Sequence, residues 1–175
     1  IGVGLVGSEM CIRDRKNSVG HDARTNLRIL LINVEAFATK KIFKFLDTFI
    51  HRSNYLVAVD ESTTIKNIKA KRTKALIKFA ERAKYKRILT GSPITKSPLD
   101  LYSQFLFLDK KILGFDSYWS FQGRYAVVKS MKMGSHSFNQ VVGYKNLDEL
   151  KKKIEPYSYR VTKEEALDLP PKIYT

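Results

Sequence analysis

Apolar residues along this chain group into three short continuous runs, separated by two longer stretches with helical periodicity. The runs are residues 28–33 (RILLIN), 55–60 (YLVAVD) and 87–90 (RILT). Continuous apolar character, without alternation, is typical of strands that are covered on both faces. In residues 35–52 and 69–84 the apolar positions recur at three- and four-residue steps, as on one face of a helix. This order predicts an α/β fold, a parallel sheet covered by helices.

Two further helices are predicted from capping patterns. Ser97, a proline and Asp100 predict a helix that runs to about residue 107. Asn146 and Glu149 predict another, which ends before Pro156. Residues 114–143 are rich in aromatic residues, glycine and serine, show no clean period, and are interpreted as irregular. We find no internal repeat and no low-complexity linker.

Composition narrows the class of protein. The chain has 175 residues with 32 Lys+Arg against 17 Asp+Glu, a formal charge of +15. A single cysteine, Cys11, excludes an internal disulfide, and the longest apolar runs are far shorter than the roughly 20 residues that span a bilayer. The positive charge favours a polyanionic partner, nucleic acid before membrane. We expect a protein that is cytoplasmic or nucleoid-associated and not secreted.

Polar side chains follow the second and third apolar runs. Asp60 and Glu61 end one run, and residues 90–93 (TGSP) end the other. Because ligands of parallel sheets lie beyond the carboxyl ends of the strands, these segments form the candidate site. Two adjacent carboxylates after a buried strand are the Walker B arrangement, in which Asp60 holds Mg²⁺ and Glu61 orients the attacking water. From this dipeptide alone, an acidic cap of the next helix is the favoured interpretation.

The larger pattern resembles a known family. Residues 59–67 (VDESTTIKN) and 87–109 (RILTGSPITKSPLDLYSQFLFLD) are similar to motifs II and III of Swi/Snf-type superfamily two helicase-like ATPases. Residues 30–37 (LLINVEAF) look like the preceding strand motif, and residues 159–163 with 169–172 are similar to the end of the first ATPase lobe. The resemblance implies part of a RecA-like lobe, the cofactors ATP and Mg²⁺, double-stranded DNA as partner, and a second ATPase lobe in the same polypeptide.

The resemblance also implies roles for individual residues. The catalytic residues are Asp60, the Mg²⁺ ligand, and Glu61. The nucleotide-binding residues are Asp60, Glu61, Thr90, Gly91 and Ser92, and the residues that couple nucleotide state to the nucleic acid are Thr63, Thr90, Ser92 and Pro93. We expect the Thr90 and Ser92 hydroxyls to hydrogen-bond near the two carboxylates, with Gly91 permitting a tight turn. Thr63 stands where the family has histidine, and Ser92 where it has threonine.

The chain lacks the phosphate-binding loop of the family. No G-x-x-x-x-G-K-[ST] motif and no Gly-Lys pair occur. We therefore expect residues 16–175 to be the rear part of lobe one, truncated at the N-terminus, with the phosphate loop upstream of residue 16. We expect this chain alone to hydrolyse no appreciable ATP. A superfamily two RNA helicase fragment, and a non-catalytic basic DNA-binding module with a degenerate ATPase fold, remain as alternatives.

Residues 6–15 (VGSEMCIRDR) have a different texture from the rest. They resemble the conceptual translation of a transposase-type sequencing adapter. We expect residues 1–15 to be a non-native leader, which leaves Cys11 without a functional role. The leader contains as many basic as acidic residues, so its removal leaves the charge at +15.

Overall fold

A computed structural model of the chain describes residues 19–22, 27–50, 54–133, 136–161 and 165. They fall into two compact units that divide after Asp109. The predicted leader at residues 1–15 lies outside the described residues, as does most of the segment predicted to close the lobe. Among the described residues, no helix is both long and apolar enough to cross a membrane.

The first unit alternates strands and helices after an initial strand pair. Its strands are β1 (Val19–Asp22), β2 (Leu27–Leu30), β3 (Leu56–Val59) and β4 (Tyr85–Ile88). Its α-helices are α1 (Lys41–Phe49), α2 (Lys71–Ala80) and α3 (Leu101–Leu108), and short 3₁₀ helices span Val34–Ala38, Ser62–Ile65 and Pro98–Asp100.

Strands β3 and β4 form the predicted parallel sheet. Leu56 lies opposite Tyr85, and Val59 lies opposite Ile88. The connection between them contains α2, as parallel neighbours require, because a short turn cannot return the chain to the same end of the sheet. The prediction of two parallel strands with helices is confirmed.

The first predicted strand does not belong to that sheet among the described residues. Strand β2 pairs antiparallel with β1, with Val19 opposite Leu30 and Asp22 opposite Leu27. Only residues 23–26 connect the two strands, and so short a connection allows antiparallel pairing alone. Residues 19–22 carry no apolar run, which is why the sequence pattern did not predict β1.

Helices cover one face of the β3–β4 pair within the described residues. Val57 and Val59 point into a core formed with the helices α1, α2 and α3 and with two of the 3₁₀ helices. On the opposite face Leu56 and Leu89 are 55% and 54% exposed. The prediction of strands buried on both faces is wrong for this part of the chain. The buried members of the core are Ala36, Phe37, Ile42, Leu46, Val59, Ile65, Leu76, Phe79, Ala80 and Phe107.

The helix predicted over residues 35–52 is split in two. Thr39 takes an extended conformation (φ −107°, ψ 146°) between the 3₁₀ helix Val34–Ala38 and α1. Its hydroxyl donates to the Ala36 carbonyl at 2.9 Å, an alternative that threonine offers to continued helix. The remaining predicted helices are confirmed, since α2 lies within residues 69–84 and α3 follows the turn at Ser97.

Among its described residues, the second unit has three complete α-helices and a two-stranded ribbon. The helices are α4 (Lys110–Leu113), α5 (Tyr118–Tyr125) and α6 (Leu147–Ile154), followed by a 3₁₀ helix at Glu155–Tyr157. The ribbon pairs β5 (Ala126–Met133) with β6 (His136–Tyr144) in antiparallel register. The interpretation of residues 114–143 as irregular is therefore wrong. Both faces of the ribbon carry exposed residues, so the strands lack the alternation by which half-buried strands are recognised.

Aromatic packing and one carboxylate organise the second unit. Phe115, Phe121 and Tyr125 contact one another with ring centroids 4.9–5.6 Å apart. Glu149 accepts a hydrogen bond from the Tyr125 hydroxyl at 3.0 Å and an ion-paired bond from Arg124. The helix predicted after Asn146 is confirmed as α6, but Glu149 serves this cluster and the Asn146 amide donates to the Arg124 carbonyl at 2.9 Å.

Candidate nucleotide-hydrolysis site

The candidate site is built on hydrogen bonds that continue the β3–β4 ladder beyond the strand ends. The Leu89 N–H donates to the Val59 carbonyl at 2.9 Å, and the Ser62 N–H donates to the Leu89 carbonyl at 2.9 Å. These bonds clasp the segment after β3 to the segment after β4. Asp60 and Glu61 therefore lie at the same edge of the sheet as Thr90, as the strand order predicts.

Glu61 is the centre of the hydrogen bonds at this edge. Its Oε1 atom accepts from the Thr63 hydroxyl at 2.8 Å and from the Thr90 hydroxyl at 3.1 Å. The side chain is exposed, so two donors on one oxygen hold in place a carboxylate that would otherwise move freely. Thr63, at the position of the family histidine, thus contacts Glu61 through a hydroxyl group.

The backbone of Glu61 is in the left-handed region, with φ 47° and ψ 63°. This conformation costs a residue other than glycine about 1 kcal/mol or more, because its Cβ approaches the following carbonyl. It turns the chain from β3 into the 3₁₀ helix Ser62–Ile65, and the Glu61 N–H donates to Asp60 Oδ1 at 2.9 Å. The strain falls on the residue to which the sequence assigns water orientation.

Asp60 has the features of a magnesium ligand that is shared with a nucleotide. It is exposed at the end of β3, and only its Oδ1 atom accepts a hydrogen bond from a described residue. Mg²⁺ at such sites binds one or two carboxylates, several waters and the phosphates of the substrate. One accessible carboxylate oxygen fits this requirement. Within the described residues, no three His, Cys, Asp or Glu side chains lie together as a protein-only metal site would need.

The segment after β4 differs from expectation at two residues. The Ser92 N–H donates to Thr90 Oγ1 at 3.2 Å, while the Ser92 hydroxyl donates to the Ile94 carbonyl at 2.9 Å and to neither carboxylate. Gly91 does not have a positive φ, and a Cβ built there would contact nothing within 4 Å. The backbone conformation at Gly91 is therefore one that other residues can also adopt. Among the described residues, Thr90 is the one residue of this loop whose side chain hydrogen-bonds to Glu61.

Gln104, which the sequence did not single out, joins the two segments from inside the protein. It is fully buried on α3, and its Oε1 atom accepts from the Ser62 hydroxyl at 2.6 Å. Its Nε2 atom donates to the Pro93 carbonyl at 2.7 Å and to the Asp100 carbonyl at 2.9 Å. A buried amide needs such partners, since each buried polar group without a hydrogen bond lowers the stability of the fold by about 1–3 kcal/mol. The signal was its polarity within the largely apolar LYSQFLFL helix.

The segments after β3 and β4 also contact each other at the surface, through Lys66 and Thr95. Asp100 holds Thr95 in place for this contact. Asp100 Oδ2 accepts from the N–H groups of Thr95 and Lys96 at 3.1 and 2.9 Å, and from the Thr95 hydroxyl at 3.0 Å. Partial burial would raise the pKa of Asp100, but these bonds outweigh it and hold the pKa below its ordinary value. Lys66 donates to the same Thr95 hydroxyl, so the end of the predicted motif II contacts the loop after motif III.

The basic residues of α2 separate into structural and exposed ones. Arg72 is half-buried; it donates to the Thr64 carbonyl at 3.3 Å and pairs with Glu35 at 3.4 Å. Lys71, Lys74 and Lys78 are exposed. Arg72 therefore supports the turn after Glu61.

Comparison with known proteins identifies the family of the chain. The chain matches the SNF2-related domain over residues 10–175. It is 39% identical over 123 residues to the TATA-binding protein-associated factor MOT1 of Saccharomyces cerevisiae, a match that covers 69% of this chain and 6% of that protein. A SWI/SNF-related regulator of chromatin, the subfamily A-like protein 1 of Drosophila melanogaster, is 34% identical over 122 residues, 69% of this chain and 15% of that protein.

A solved structure extends the similarity to the fold. The Sulfolobus solfataricus SWI2/SNF2 ATPase core, determined in complex with double-stranded DNA, is 27% identical. The alignment covers 86% of this chain and 30% of that chain, with a TM-score of 0.55. The fold is thus that of part of a RecA-like lobe. The chain belongs to the SNF2-related domain family, and it spans a small fraction of the length of the relatives it matches.

Proposed function

We propose that this chain supplies motifs II and III of a DNA-dependent ATPase, which couples ATP hydrolysis to movement along double-stranded DNA. The observation that carries the proposal is the bond between Thr90 and Glu61, because it joins the two motifs at the edge of the sheet where a nucleotide binds in such folds. Family membership supports the same activity.

In this proposal Asp60 holds the metal and Glu61 orients water. Mg²⁺ on Asp60 would neutralise charge on the phosphates of ATP, which is the main requirement of phosphoryl transfer. Glu61 would accept a hydrogen bond from the attacking water, positioned by the Thr63 and Thr90 hydroxyls. Both roles need an accessible carboxylate, and both side chains are exposed.

Thr90, Ser92 and Pro93 would couple the nucleotide to the rest of the lobe. Any displacement of Glu61 changes its bond with Thr90, and Ser92 is tied in turn to Thr90 through its N–H group. The Pro93 carbonyl accepts a hydrogen bond from Gln104, which in turn accepts one from the hydroxyl of Ser62, the residue after Glu61. We propose that these hydrogen bonds make the segments after β3 and β4 move as one body. Gly91 would contribute a backbone that approaches the nucleotide without a side chain.

Duplex DNA is the partner that we propose, together with a second ATPase lobe in the same polypeptide. The formal charge of +15 suits a polyanion, and the similar Sulfolobus core was determined with double-stranded DNA. A full site also needs a phosphate-binding loop, which this chain does not contain. Because DNA is the proposed partner, we propose that the protein acts inside the cell.

The test compares nucleic acids as activators. A full-length polypeptide that carries this chain, a phosphate loop and a second lobe is expected to hydrolyse ATP faster when duplex DNA is added than when duplex or single-stranded RNA is added. Stronger stimulation by RNA would favour a superfamily two RNA helicase. DNA binding without any ATP turnover would favour the non-catalytic module. Either result contradicts the proposal.

A further inference from the structure

The β5–β6 ribbon is the part of the second unit that the nucleotide site does not explain. Its strands have eight and nine residues, and among the described residues they pair only with each other. Both faces carry exposed side chains along most of the length. An isolated two-stranded ribbon is marginally stable in water. We therefore expect a ribbon of this length to be stabilised by contact with a binding partner.

The charge of the ribbon has one sign. Residues 117–147 contain no Asp or Glu, although the chain as a whole has 17 acidic residues. Lys129 and Lys132 are exposed on β5, and Lys145 follows β6. Within the described part of the chain, neither Lys129 nor Lys132 forms an ion pair. A surface of this charge complements a polyanion.

One face of the ribbon is polar towards its tip. Residues directly opposite each other share a face, and Ser130 pairs with Asn139 just as Lys132 pairs with Ser137. Hydroxyl, amide and ammonium groups are those that bind phosphates and base edges. The other face carries the pairs Lys129–Gln140 and Met131–Phe138. The apolar pair is a cross-strand contact of the kind that stabilises a ribbon.

We propose that the β5–β6 ribbon is a duplex-DNA contact surface, which lies in the major groove with its two faces towards the two phosphate backbones. Lys132 on one face and Lys129 on the other then each contact phosphates. The proposal rests on the proposed function, since it takes duplex DNA as the partner. The major groove of B-form DNA, about 12 Å wide, accepts a two-stranded ribbon, whereas the deep, narrow major groove of duplex RNA does not. The surface should therefore prefer duplex DNA.

The experiment measures binding of this chain to a fluorescein-labelled DNA duplex by anisotropy, over a series of salt concentrations. The variant Lys129→Gln with Lys132→Gln should bind about ten-fold more weakly at moderate salt. The slope of log K against log salt should fall by roughly two, about one for each phosphate contact that is lost. The control, Lys151→Gln with Lys152→Gln, removes the same charge from exposed positions on α6 and should leave both quantities near wild type.

Footprinting gives a second readout on the unmodified protein. Reductive methylation of lysines, followed by mass spectrometry, should show Lys129 and Lys132 protected by duplex DNA while Lys151 and Lys152 react as before. An RNA duplex of equal length should protect none of the four. Far-UV circular dichroism should show that both double variants are folded.

Four results would overturn the proposal. They are no binding of DNA by the wild-type chain, equal losses in the ribbon and control variants, equal affinity for duplex RNA, and unchanged DNA affinity of the ribbon variant. The last result would leave the ribbon as a surface for a protein partner. None of these results bears on ATP hydrolysis. The ATPase proposal is tested separately, by the stimulation of ATP turnover with duplex DNA. In that assay the ribbon variant should keep the DNA-independent turnover of the wild type.

Discussion

The Ser62 hydroxyl donates a 2.6 Å hydrogen bond to Gln104 Oε1, and both residues are fully buried. Ser62 follows the two carboxylates of the candidate site, and Gln104 also holds the Pro93 carbonyl of the neighbouring loop. This relationship connects the two halves of the site through the core, independently of the surface bond between Thr90 and Glu61. The geometry of the site is therefore a property of the packed interior as well as of the exposed side chains.

Replacing Gln104 with leucine should destabilise the first unit by about 2–3 kcal/mol, because it leaves the Ser62 hydroxyl and the Pro93 carbonyl without their buried partner. Urea denaturation followed by circular dichroism measures the change. Ser62→Ala should cost less in the Gln104→Leu background than in wild type, since the shared bond is already lost. Gln122→Leu, on α5 in the other unit, is the matched control and should change stability little. Additive costs of the two substitutions would contradict the coupling.

Thr73→Val should stabilise the protein by about 1 kcal/mol or leave its stability unchanged. Thr73 is fully buried on α2, and its hydroxyl has no hydrogen-bond partner among the described residues. Valine keeps the shape and removes the buried polar group. Ser103→Ala is the contrasting variant: the Ser103 hydroxyl donates to the Ile65 carbonyl at 2.6 Å, so its loss should destabilise by about 1–2 kcal/mol. If both substitutions destabilise equally in thermal unfolding, the assignment of Thr73 is wrong.

Acid should weaken the protein partly through Asp100. Its pKa is lower in the folded state than in the unfolded chain, so its contribution is present above the ordinary carboxyl pKa and is lost as the pH falls through the folded value. Asp100→Asn removes the titrating group, and its urea midpoint should depend less on pH below about pH 5. Asp148→Asn, which removes an exposed carboxylate elsewhere, serves as the control. Parallel pH profiles of Asp100→Asn and wild type would refute this role.

Tyr125 should titrate later than an ordinary tyrosine. Burial, followed by its bond to Glu149, raises the pKa of Tyr125 to about 12. The stability that this hydroxyl contributes is fully present below its ordinary pKa of about 10. It is lost as the pH rises through the folded pKa of about 12. The difference in tyrosinate absorbance between wild type and Tyr125→Phe should rise near pH 12. Glu149→Gln should shift that rise towards lower pH, and a rise at the ordinary pKa in wild type would contradict the assigned contacts.

Much of the first unit could be predicted because its signals are local. The apolar runs identify β3 and β4, and residues at their carboxyl ends must meet at one edge of a parallel sheet. The contact of Thr90 with Glu61 follows from that geometry. The position of β2 did not follow, because pairing depends on a partner strand, β1, whose four residues (VGHD) have no apolar pattern.

Other features depend on tertiary contacts that leave little trace in the sequence. The left-handed backbone of Glu61 contradicts the usual preference of glutamate and persists because the flanking residues are fixed by β3 and by Ser62. Gln104 gave only the signal of a polar residue on an apolar helix. The β5–β6 ribbon was missed because no face of it is continuously buried, and periodicity detects burial.

In the proposed DNA-stimulated ATPase, Glu61 orients the attacking water. The most direct measurement is the ATP turnover of Glu61→Gln in a full-length polypeptide that carries this chain, with saturating duplex DNA. We expect turnover to fall by about a hundred-fold or more, with ATP and DNA still bound, since glutamine keeps the size of the side chain but cannot accept the proton. Glu81→Gln, an exposed glutamate at the end of α2, should turn over ATP at the wild-type rate. Turnover by Glu61→Gln near the wild-type rate would exclude Glu61 as the residue that orients the water.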